Sequence, residues 1–165
     1  RVSTSAEFVA GLVKDIAAVG CDVWLDGGWG VDALLQTQTR SHDDVDIVLQ
    51  KQDLDSVLSA FGSRFTHVER DDTRPWNFVM KDAQHQYVDF HIVSFDRQGK
   101  GIYGPPENGQ SYPAEAFSGR GLVAQVPVKC MTVAFQIANR TGYPLRDKDH
   151  HDLRLLQALG KQQSV

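Results

Sequence analysis

Apolar residues recur at helical spacing in four stretches of the chain. In residues 5–19 they lie three or four positions apart, which places them on one face of a helix, and Gly20 is a typical stop. The same spacing predicts a helix over 52–61 and two closing helices over 131–140 and 148–159. These segments are long enough to cover one face of a sheet.

Shorter apolar runs bounded by turn residues predict the strands. They lie over 22–26, 44–49, 64–70, 76–82, 86–94 and 121–128. Short links favour antiparallel pairing of the third, fourth and fifth strands, and the Gly- and Pro-containing stretch 101–113 is typical of a surface loop. One helix, one strand, another helix and then mostly antiparallel strands predict a mixed α/β or α+β domain.

Composition and charge narrow the possible functions. The 165 residues suit one domain, at most with a small appendage, and the net charge of −4 argues against nucleic-acid binding by bulk positive charge. We expect neither a membrane span nor a signal peptide, since no apolar stretch has the required length. Cys21 and Cys130 are not at metal-ligand spacing, so we interpret them as reduced, buried thiols of a cytoplasmic protein.

Residues 40–49, RSHDDVDIVL, place several acids directly before and within a predicted strand. Alternate residues of a strand share a face, so Asp44 and Asp46 lie on one face and the apolar residues between them on the other. Neighbouring carboxylates repel unless a cation lies between them, and hard oxygen ligands suit Mg²⁺. A solvent-facing strand end with ordinary acids is the alternative interpretation.

The segment YVDFHIV repeats this alternation. Asp89 and His91 share one face of a predicted strand whose other face is apolar. If this strand pairs with residues 44–49, three carboxylates converge, as is needed to hold one or two Mg²⁺ ions and a nucleoside triphosphate. The third carboxylate would share the metal or take a proton from an attacking hydroxyl. Alone, Asp89 and His91 would be interpreted as the polar face of a half-exposed sheet.

Gly27 and Gly28 follow the first predicted strand and precede WGVDALLQ, a predicted helix. Backbone amides at a helix N-terminus bind phosphate, and glycine permits close approach. The pattern is neither a P-loop nor a dinucleotide fingerprint, and a Gly-Gly pair is usually only a turn. Its position about 16 residues before an Asp-x-Asp strand is what gives it significance.

These three elements together resemble a known superfamily. LDGGWGVDALL, TRSHDDVDIVL and YVDFH resemble the antibiotic-modifying branch of the DNA polymerase β-like nucleotidyltransferases. GYPLRDKDHHDLRLL is most similar to the small lincosamide nucleotidyltransferases, and TRSHDDVDI is at least as close to the aminoglycoside 2″-nucleotidyltransferases. The resemblance implies a nucleotidyltransferase fold with a mixed, mostly antiparallel sheet flanked by helices. Residues 1–100 would form its core, and 101–165 a C-terminal extension of the same compact unit that completes an acceptor site or an interface.

The resemblance also implies roles for individual residues. Asp44, Asp46 and Asp89 would bind Mg²⁺ and be catalytic, and Asp89 would be the general base, a metal ligand or both. The implied nucleotide-binding residues are Gly27, Gly28, Arg40, His42 and Arg74. Candidate acceptor-binding residues are His91, Tyr103 and Glu107. The implied reaction moves AMP from Mg·ATP, or from another nucleoside triphosphate, to a hydroxyl of a small antibiotic.

Other functions stay open from the sequence. The acceptor would be a lincosamide, or alternatively an aminoglycoside; an antitoxin-type nucleotidyltransferase would modify a protein, and a catalytically dead module would only bind nucleotide. His151 and Asp152 could belong to a metallophosphohydrolase pair, but only 13 residues follow Asp152 and none is Asp. We interpret that segment as an acid-capped helix that supports the site. A homodimer is possible, because amphipathic closing helices serve an interface or a monomer core equally well.

Overall fold

A computed structural model describes residues 2–163. Residues 1, 164 and 165, which belong to the predicted segments 1–100 and 101–165, lie outside the described residues. The helices are α1 (Ala6–Ala18), α2 (Gly27–Leu35), α3 (Leu54–Phe61), α4 (Val133–Ala138) and α5 (Asp147–Gln163). The strands are β1 (Trp24–Asp26), β2 (Asp44–Gln50), β3 (Thr66–His67), β4 (Asn77–Lys81), β5 (Tyr87–Phe95), β6 (Gly101–Tyr103), β7 (Ser111–Tyr112), β8 (Gly119–Val123) and β9 (Val126–Cys130).

All nine strands belong to one mixed sheet. The order along it is β3-β4-β5-β2-β1-β9-β8, and β6 and β7 extend from β5. Only β2 with β5 and β1 with β9 pair in parallel among the strands of residues 2–163, and the remaining neighbours are antiparallel. The predicted mixed, mostly antiparallel sheet is therefore confirmed, with β2 at its centre between β5 and β1.

The main core lies on one face of this sheet. The apolar face of β2, formed by Val45, Ile47 and Leu49, is fully buried. It belongs to one cluster with residues of α1 and α3, such as Ile16 and Val57. Burying three such side chains contributes several kcal/mol, about 1.5–3 kcal/mol each. This packing fixes the register of β2 and so directs Asp44 and Asp46 to the opposite face.

Three local expectations are wrong. The segment 121–128 is not one strand but lies in the β8–β9 hairpin, which turns at Ala124 and Gln125 with φ of +48° and +66°. The expected loop 101–113 contains β6 and β7, because β6 continues the edge of β5. The strand expected over 64–70 is reduced to two residues, since only Thr66 and His67 pair with β4.

The helices were compared with the requirements for a membrane span. Within residues 2–163, none of the helices combines the length and the apolar character that a bilayer span requires.

Candidate active site

Three carboxylates lie side by side on neighbouring strands. Asp46 of β2 is opposite Asp89 of β5 on one side and opposite Asp26 of β1 on the other. The pairing of the two acid-bearing strands, expected from their alternation, is observed in parallel orientation. Asp44 lies two residues earlier on the same face of β2 and lines the adjoining cleft. The sequence placed Asp44, Asp46 and Asp89 together but gave no indication that Asp26 joins them.

His91 lies among these acids. Its Nε2 atom is 3.1 Å from Asp46 Oδ1 and 3.6 Å from Asp89 Oδ1, and its Nδ1 atom is 3.2 Å from the Tyr103 hydroxyl. Burial alone would lower the pKa of His91, but the hydrogen bond and charge of Asp46, with the charges of Asp89 and Asp26, raise it to about 9. The ring therefore supplies positive charge to a carboxylate cluster.

The same group has the donors of a metal site. One ligand atom each from Asp46, Asp89 and His91 can be chosen so that all lie within 4.8 Å of one another. Two carboxylates here, with Asp44 nearby, are the hard oxygen donors that suit Mg²⁺. The sequence predicted a group of Asp44, Asp46 and Asp89, but the three residues whose ligand atoms lie close together are Asp46, Asp89 and His91. The parallel pairing of β2 with β5 sets Asp89 opposite Asp46, and His91 lies two residues further along β5 on the same face.

The surroundings of Asp26 and Asp89 disfavour the ionised form of each carboxylate. Burial raises the pKa of the Asp26 carboxyl, and the nearby charge of Asp46 raises it further. Burial also raises the pKa of Asp89, although His91 and a 2.7 Å hydrogen bond from Asn77 Nδ2 act against it. Such shifts mark a cluster whose negative charge favours a cation, which is a common property of functional sites.

Helix α2 begins directly at the acids. Asp26 caps it by accepting a 2.8 Å hydrogen bond from the Gly27 amide. Gly27 has a φ of +56°, and a Cβ atom there would collide with the Asp46 carboxylate. A Cβ at Gly28 would lie 2.5 Å from both Arg40 Nη2 and His42 Nδ1. Both glycines are thus required by close packing against the acids and the cations.

Arg40 is held by the far end of the chain. Its Nε and Nη2 atoms each donate a 2.9 Å hydrogen bond to the buried carboxylate of Asp152. Arg140 Nη2 donates a third, 3.0 Å bond to Asp152 Oδ2. Arg140 is only 5% exposed, and its Nε atom has no hydrogen-bond partner. One carboxylate on α5 therefore positions two guanidinium groups.

His42 is a buried residue in the wall of the cleft. Its ring contacts Trp29 in a tilted arrangement with ring centroids 4.5 Å apart, and its Nε2 atom is 2.6 Å from Asp32 Oδ2. Asp32 also accepts hydrogen bonds from the backbone and side chain of Thr39. This network fixes the segment that precedes β2, and with it Arg40 and Asp44.

Acidic and basic side chains together line one cleft of about 510 Å³. Its lining comprises Gly27, Gly28, Arg40, Ser41, His42, Asp43, Asp44, Asp46, Arg140, Arg146, Lys148 and Asp149. A helix N-terminus and four cationic side chains suit an anion, and the adjacent carboxylates suit a divalent cation. The arrangement fits a metal-bound polyphosphate.

Comparison with known proteins assigns the family. The family model described as aminoglycoside-2″-adenylyltransferase matches residues 9–156, which is most of the chain. The chain belongs to this family. It is therefore a nucleotidyltransferase, as the three sequence elements had indicated.

Individual relatives of the nucleotidyltransferase act on two drug classes. A lincosamide resistance protein of Staphylococcus haemolyticus is 27% identical over 136 residues, which cover 82% of this chain and 84% of that protein. A 2″-aminoglycoside nucleotidyltransferase of Klebsiella pneumoniae is 36% identical over 47 residues, 27% of each chain. The similarity to the lincosamide resistance protein therefore extends over most of both chains, whereas the similarity to the aminoglycoside enzyme is confined to about a quarter of each.

Solved structures show the same fold. The lincosamide adenylyltransferase LnuA bound to lincomycin superposes with a TM-score of 0.83 at 24% identity, covering 96% of this chain and 99% of that one. ANT(2″)-Ia in complex with adenylyl-2″-tobramycin gives a TM-score of 0.65 at 21% identity, covering 94% and 91%. The predicted nucleotidyltransferase fold is therefore confirmed.

Two of the nucleotidyltransferase's predicted site residues lie outside this constellation. Arg74 is in the loop before β4, and its Nε atom is 2.9 Å from Asp72 Oδ2. Glu107 is exposed in a short 3-10 turn between β6 and β7. Neither lines the cleft described above. Arg70, from the same loop as Arg74, is the one that approaches the acids, with Nη2 3.7 Å from Asp89 Oδ1.

Sequence reasoning missed three residues of the nucleotidyltransferase's site. Asp26, beside Asp46, was interpreted only as a strand end, and no role was expected for Arg140 or Arg146, which line the cleft. Arg146 lies in GYPLRDKDHHDLRLL, the segment most similar to the lincosamide enzymes, so that resemblance was a usable signal. Arg140 could be identified only from its contact with Asp152.

Proposed function

We propose that this protein transfers AMP from ATP to a hydroxyl of a lincosamide antibiotic and so confers resistance. The register that sets Asp46 opposite Asp89, at a cleft that also holds four basic side chains, is the observation that carries the proposal. The lincosamide acceptor is supported by the Staphylococcus haemolyticus relative, which matches over most of both chains. An aminoglycoside acceptor is the second candidate, because the family model carries that name and a short segment matches at 36%.

The triphosphate would lie along the basic side chains of the cleft. Gly27 and Gly28, at the start of α2, line the cleft and would let its phosphates approach the helix N-terminus closely, although the Gly27 amide itself is bonded to Asp26. Arg40 and Arg140, held by Asp152, would neutralise the leaving pyrophosphate, and the exposed Lys148 would add charge at the cleft edge. Arg74 has no part in this proposal, since it does not line the cleft.

Mg²⁺ would be held by Asp44, Asp46 and Asp89. The donor set fits in part: carboxylate oxygens of Asp46 and Asp89 lie within 4.8 Å of each other together with a nitrogen of His91, and Asp44 lies two residues before Asp46 on the same face of β2. Bound there, the ion would neutralise charge that develops on the phosphates.

The chemistry proposed for the chain's own groups is a direct displacement. The acceptor hydroxyl oxygen forms a bond to the α-phosphorus, and the bond from that phosphorus to the bridging oxygen of pyrophosphate breaks. Asp89, opposite Asp46 on β5, would take the proton of the hydroxyl. His42 holds the segment before β2 through Asp32 and thereby keeps Arg40 and Asp44 in place.

An acceptor assay with mass detection tests this proposal. The protein, with Mg²⁺ and ATP, is incubated with lincomycin and with tobramycin, and each drug is examined for the added mass of one AMP. We expect addition to lincomycin, and a loss of about 10²–10⁴-fold in kcat for Asp89→Asn with ATP binding retained. Asp71→Asn, in an exposed loop, is the matched control.

Each other result selects a different function. Addition to tobramycin alone would establish the aminoglycoside alternative. ATP binding without transfer to either drug would exclude both and leave a protein acceptor or a catalytically dead module. Full activity of Asp89→Asn would show that the proton leaves by another route.

We further propose that the protein acts in the cytoplasm, where nucleoside triphosphates are supplied. A sedimentation measurement would determine whether it forms a dimer.

A further inference from the structure

A fully buried glutamine lies between the acids and the arginines of the site. Gln136 of α4 has an exposure of 0%, whereas glutamine side chains are mostly exposed in folded proteins. Helix α4 begins after Thr132, whose side chain accepts a hydrogen bond from the Phe135 amide. A Cβ atom at Gly30 of α2 would lie 2.7 Å from Gln136 Nε2. The absence of a side chain at Gly30 therefore makes room for the buried amide.

The two ends of this amide bind groups of opposite charge. The Oε1 atom of Gln136 accepts a 2.6 Å hydrogen bond from Arg140 Nη1, and its Nε2 atom donates a 3.3 Å hydrogen bond to Asp26 Oδ1. The same nitrogen lies 3.5 Å from the carbonyl oxygen of Gly27. A guanidinium can only donate and an ionised carboxylate can only accept, so these partners fix which end of the amide faces each of them.

The amide completes a chain of contacts across the site. On the acidic side, Asp26 is opposite Asp46 in the antiparallel pairing of β1 with β2. On the basic side, Arg140 Nη2 donates a hydrogen bond to Asp152 of α5. Gln136 therefore connects the strands that bear the acids to the guanidinium groups of the cleft.

We propose that Gln136 is a positioning residue that holds Arg140 at a fixed place relative to the carboxylates, and so aligns a metal-bound triphosphate for transfer. This inference rests on the proposed function, in which Asp46 and Asp89 hold the metal and Arg140 meets the leaving pyrophosphate. A triphosphate bound at both ends reacts only when the two ends are correctly spaced, and a misplacement of about 1 Å can cost about 10²-fold in rate. Gln136 would act through Arg140 and Asp26 without touching the nucleotide.

The contacts that remain without the Gln136 side chain determine which kinetic constant should change. Arg140 keeps its bond to Asp152, and its Nη1 atom keeps a 3.1 Å bond to the backbone carbonyl of residue 136. Asp26 likewise keeps the hydrogen bond from the Gly27 amide. The positive charge therefore stays in the cleft and the fold is retained, while the direction of the guanidinium is no longer fixed. We expect the affinity for ATP to change little and the rate of transfer to fall.

Substitutions of Gln136 test this role by separating KM from kcat. Gln136→Met keeps the length of the side chain but removes both of its hydrogen bonds, and Gln157→Met, at an exposed position of α5, is the matched control. We expect Gln136→Met to lower kcat for AMP transfer about tenfold, with the KM for ATP within about threefold of wild type. Gln136→Glu keeps an acceptor for Arg140 but sets a second carboxylate against Asp26, and we expect a similar loss of kcat.

Unchanged kcat in either variant would overturn the inference. In Gln136→Met it would show that neither contact affects the reaction, and in Gln136→Glu it would show that the contact with Asp26 has no role. A lower melting temperature with kcat at the wild-type value would identify a purely structural glutamine. Because Gln136→Glu keeps a polar partner for Arg140, it also serves as the test if Gln136→Met fails to fold.

Phosphorus NMR of bound Mg·ATP separates this inference from the proposed function, because it needs no acceptor. We expect the β- and γ-phosphorus signals to move in Gln136→Met and Gln136→Glu, and to stay at their wild-type positions in Gln157→Met. Moved signals, without AMP transfer to either drug by the wild type, would support the positioning role and refute the proposed transfer. AMP transfer by the wild type, with signals and kcat unchanged in the Gln136 variants, would refute the positioning role alone.

Discussion

Replacing Asp152 by Asn tests the network that joins α5 to the cleft. Asp152 has a 1% exposed side chain and binds Arg40 and Arg140, whose side chains are 19% and 6% exposed. Removing one member of a buried ion pair costs about 3–5 kcal/mol, because a charge is left without compensation. Asn retains one acceptor oxygen and Arg40 keeps some water contact, so we expect a loss of about 2–4 kcal/mol. At about 3 °C per kcal/mol for a chain of this size, the melting temperature should fall by about 6–12 °C.

Activity should change together with stability, because Arg40 and Arg140 lose their common anchor. We expect the KM for ATP to rise about thirtyfold, since two poorly placed phosphate contacts, from Arg40 and Arg140, cost on the order of 1 kcal/mol each. Urea unfolding and ATP saturation curves measure the two effects. Asp147→Asn, exposed on the same helix, should change either by little. An unfolding free energy equal to that of the wild type would show that Asp152 is not the anchor we describe.

Two further predictions concern the glycine turn and the support behind the cleft. Gly27→Ala should abolish most activity and lower the melting temperature, because a Cβ at φ +56° collides with Asp46; kinetics and thermal unfolding measure both. Burial acts to raise the pKa of Asp32, but hydrogen bonds from His42 and Thr39 outweigh burial and lower that pKa. The ionised carboxylate therefore stabilises the folded protein above about pH 4, and this stabilisation is lost as the pH falls further. Asp32→Asn should therefore be less stable than wild type at pH 7, and the difference should shrink at pH 3; an equal difference at both pH values in urea unfolding would contradict this assignment.

Local alternation was sufficient to locate the acid-bearing strands. In β2 and β5 each apolar face is buried and each carboxylate lies on the opposite face, because a period of two depends only on neighbouring residues. The β8–β9 hairpin was not predictable in this way. Its turn residues, Ala124 and Gln125, both have positive φ, a conformation usually signalled by Asn or Gly. The flanking strands, and not the turn residues, impose that conformation.

The site was predictable only where its residues adjoin in sequence. The spacing of Asp44 and Asp46 in the sequence was enough to identify them, whereas Asp26 joins them only through the antiparallel pairing of β1 with β2. Arg40 and Asp152 are separated by 112 positions, and no periodicity connects them. The sequence therefore located the carboxylates but not the groups that hold the cations in place.

The three arginines of the cleft are each bound to a carboxylate, which suggests how an acidic protein would bind the polyphosphate that we propose. Asp152 holds Arg40 and Arg140, and Asp149 holds Arg146 by hydrogen bonds to its backbone and side chain. These acids reduce the net positive charge but fix the direction of each guanidinium. With a chain charge of −4, long-range attraction cannot supply the affinity. The affinity must come from donors fixed in advance at short range, and for that reason we expect an anchoring acid such as Asp152 to matter as much as the arginines it holds.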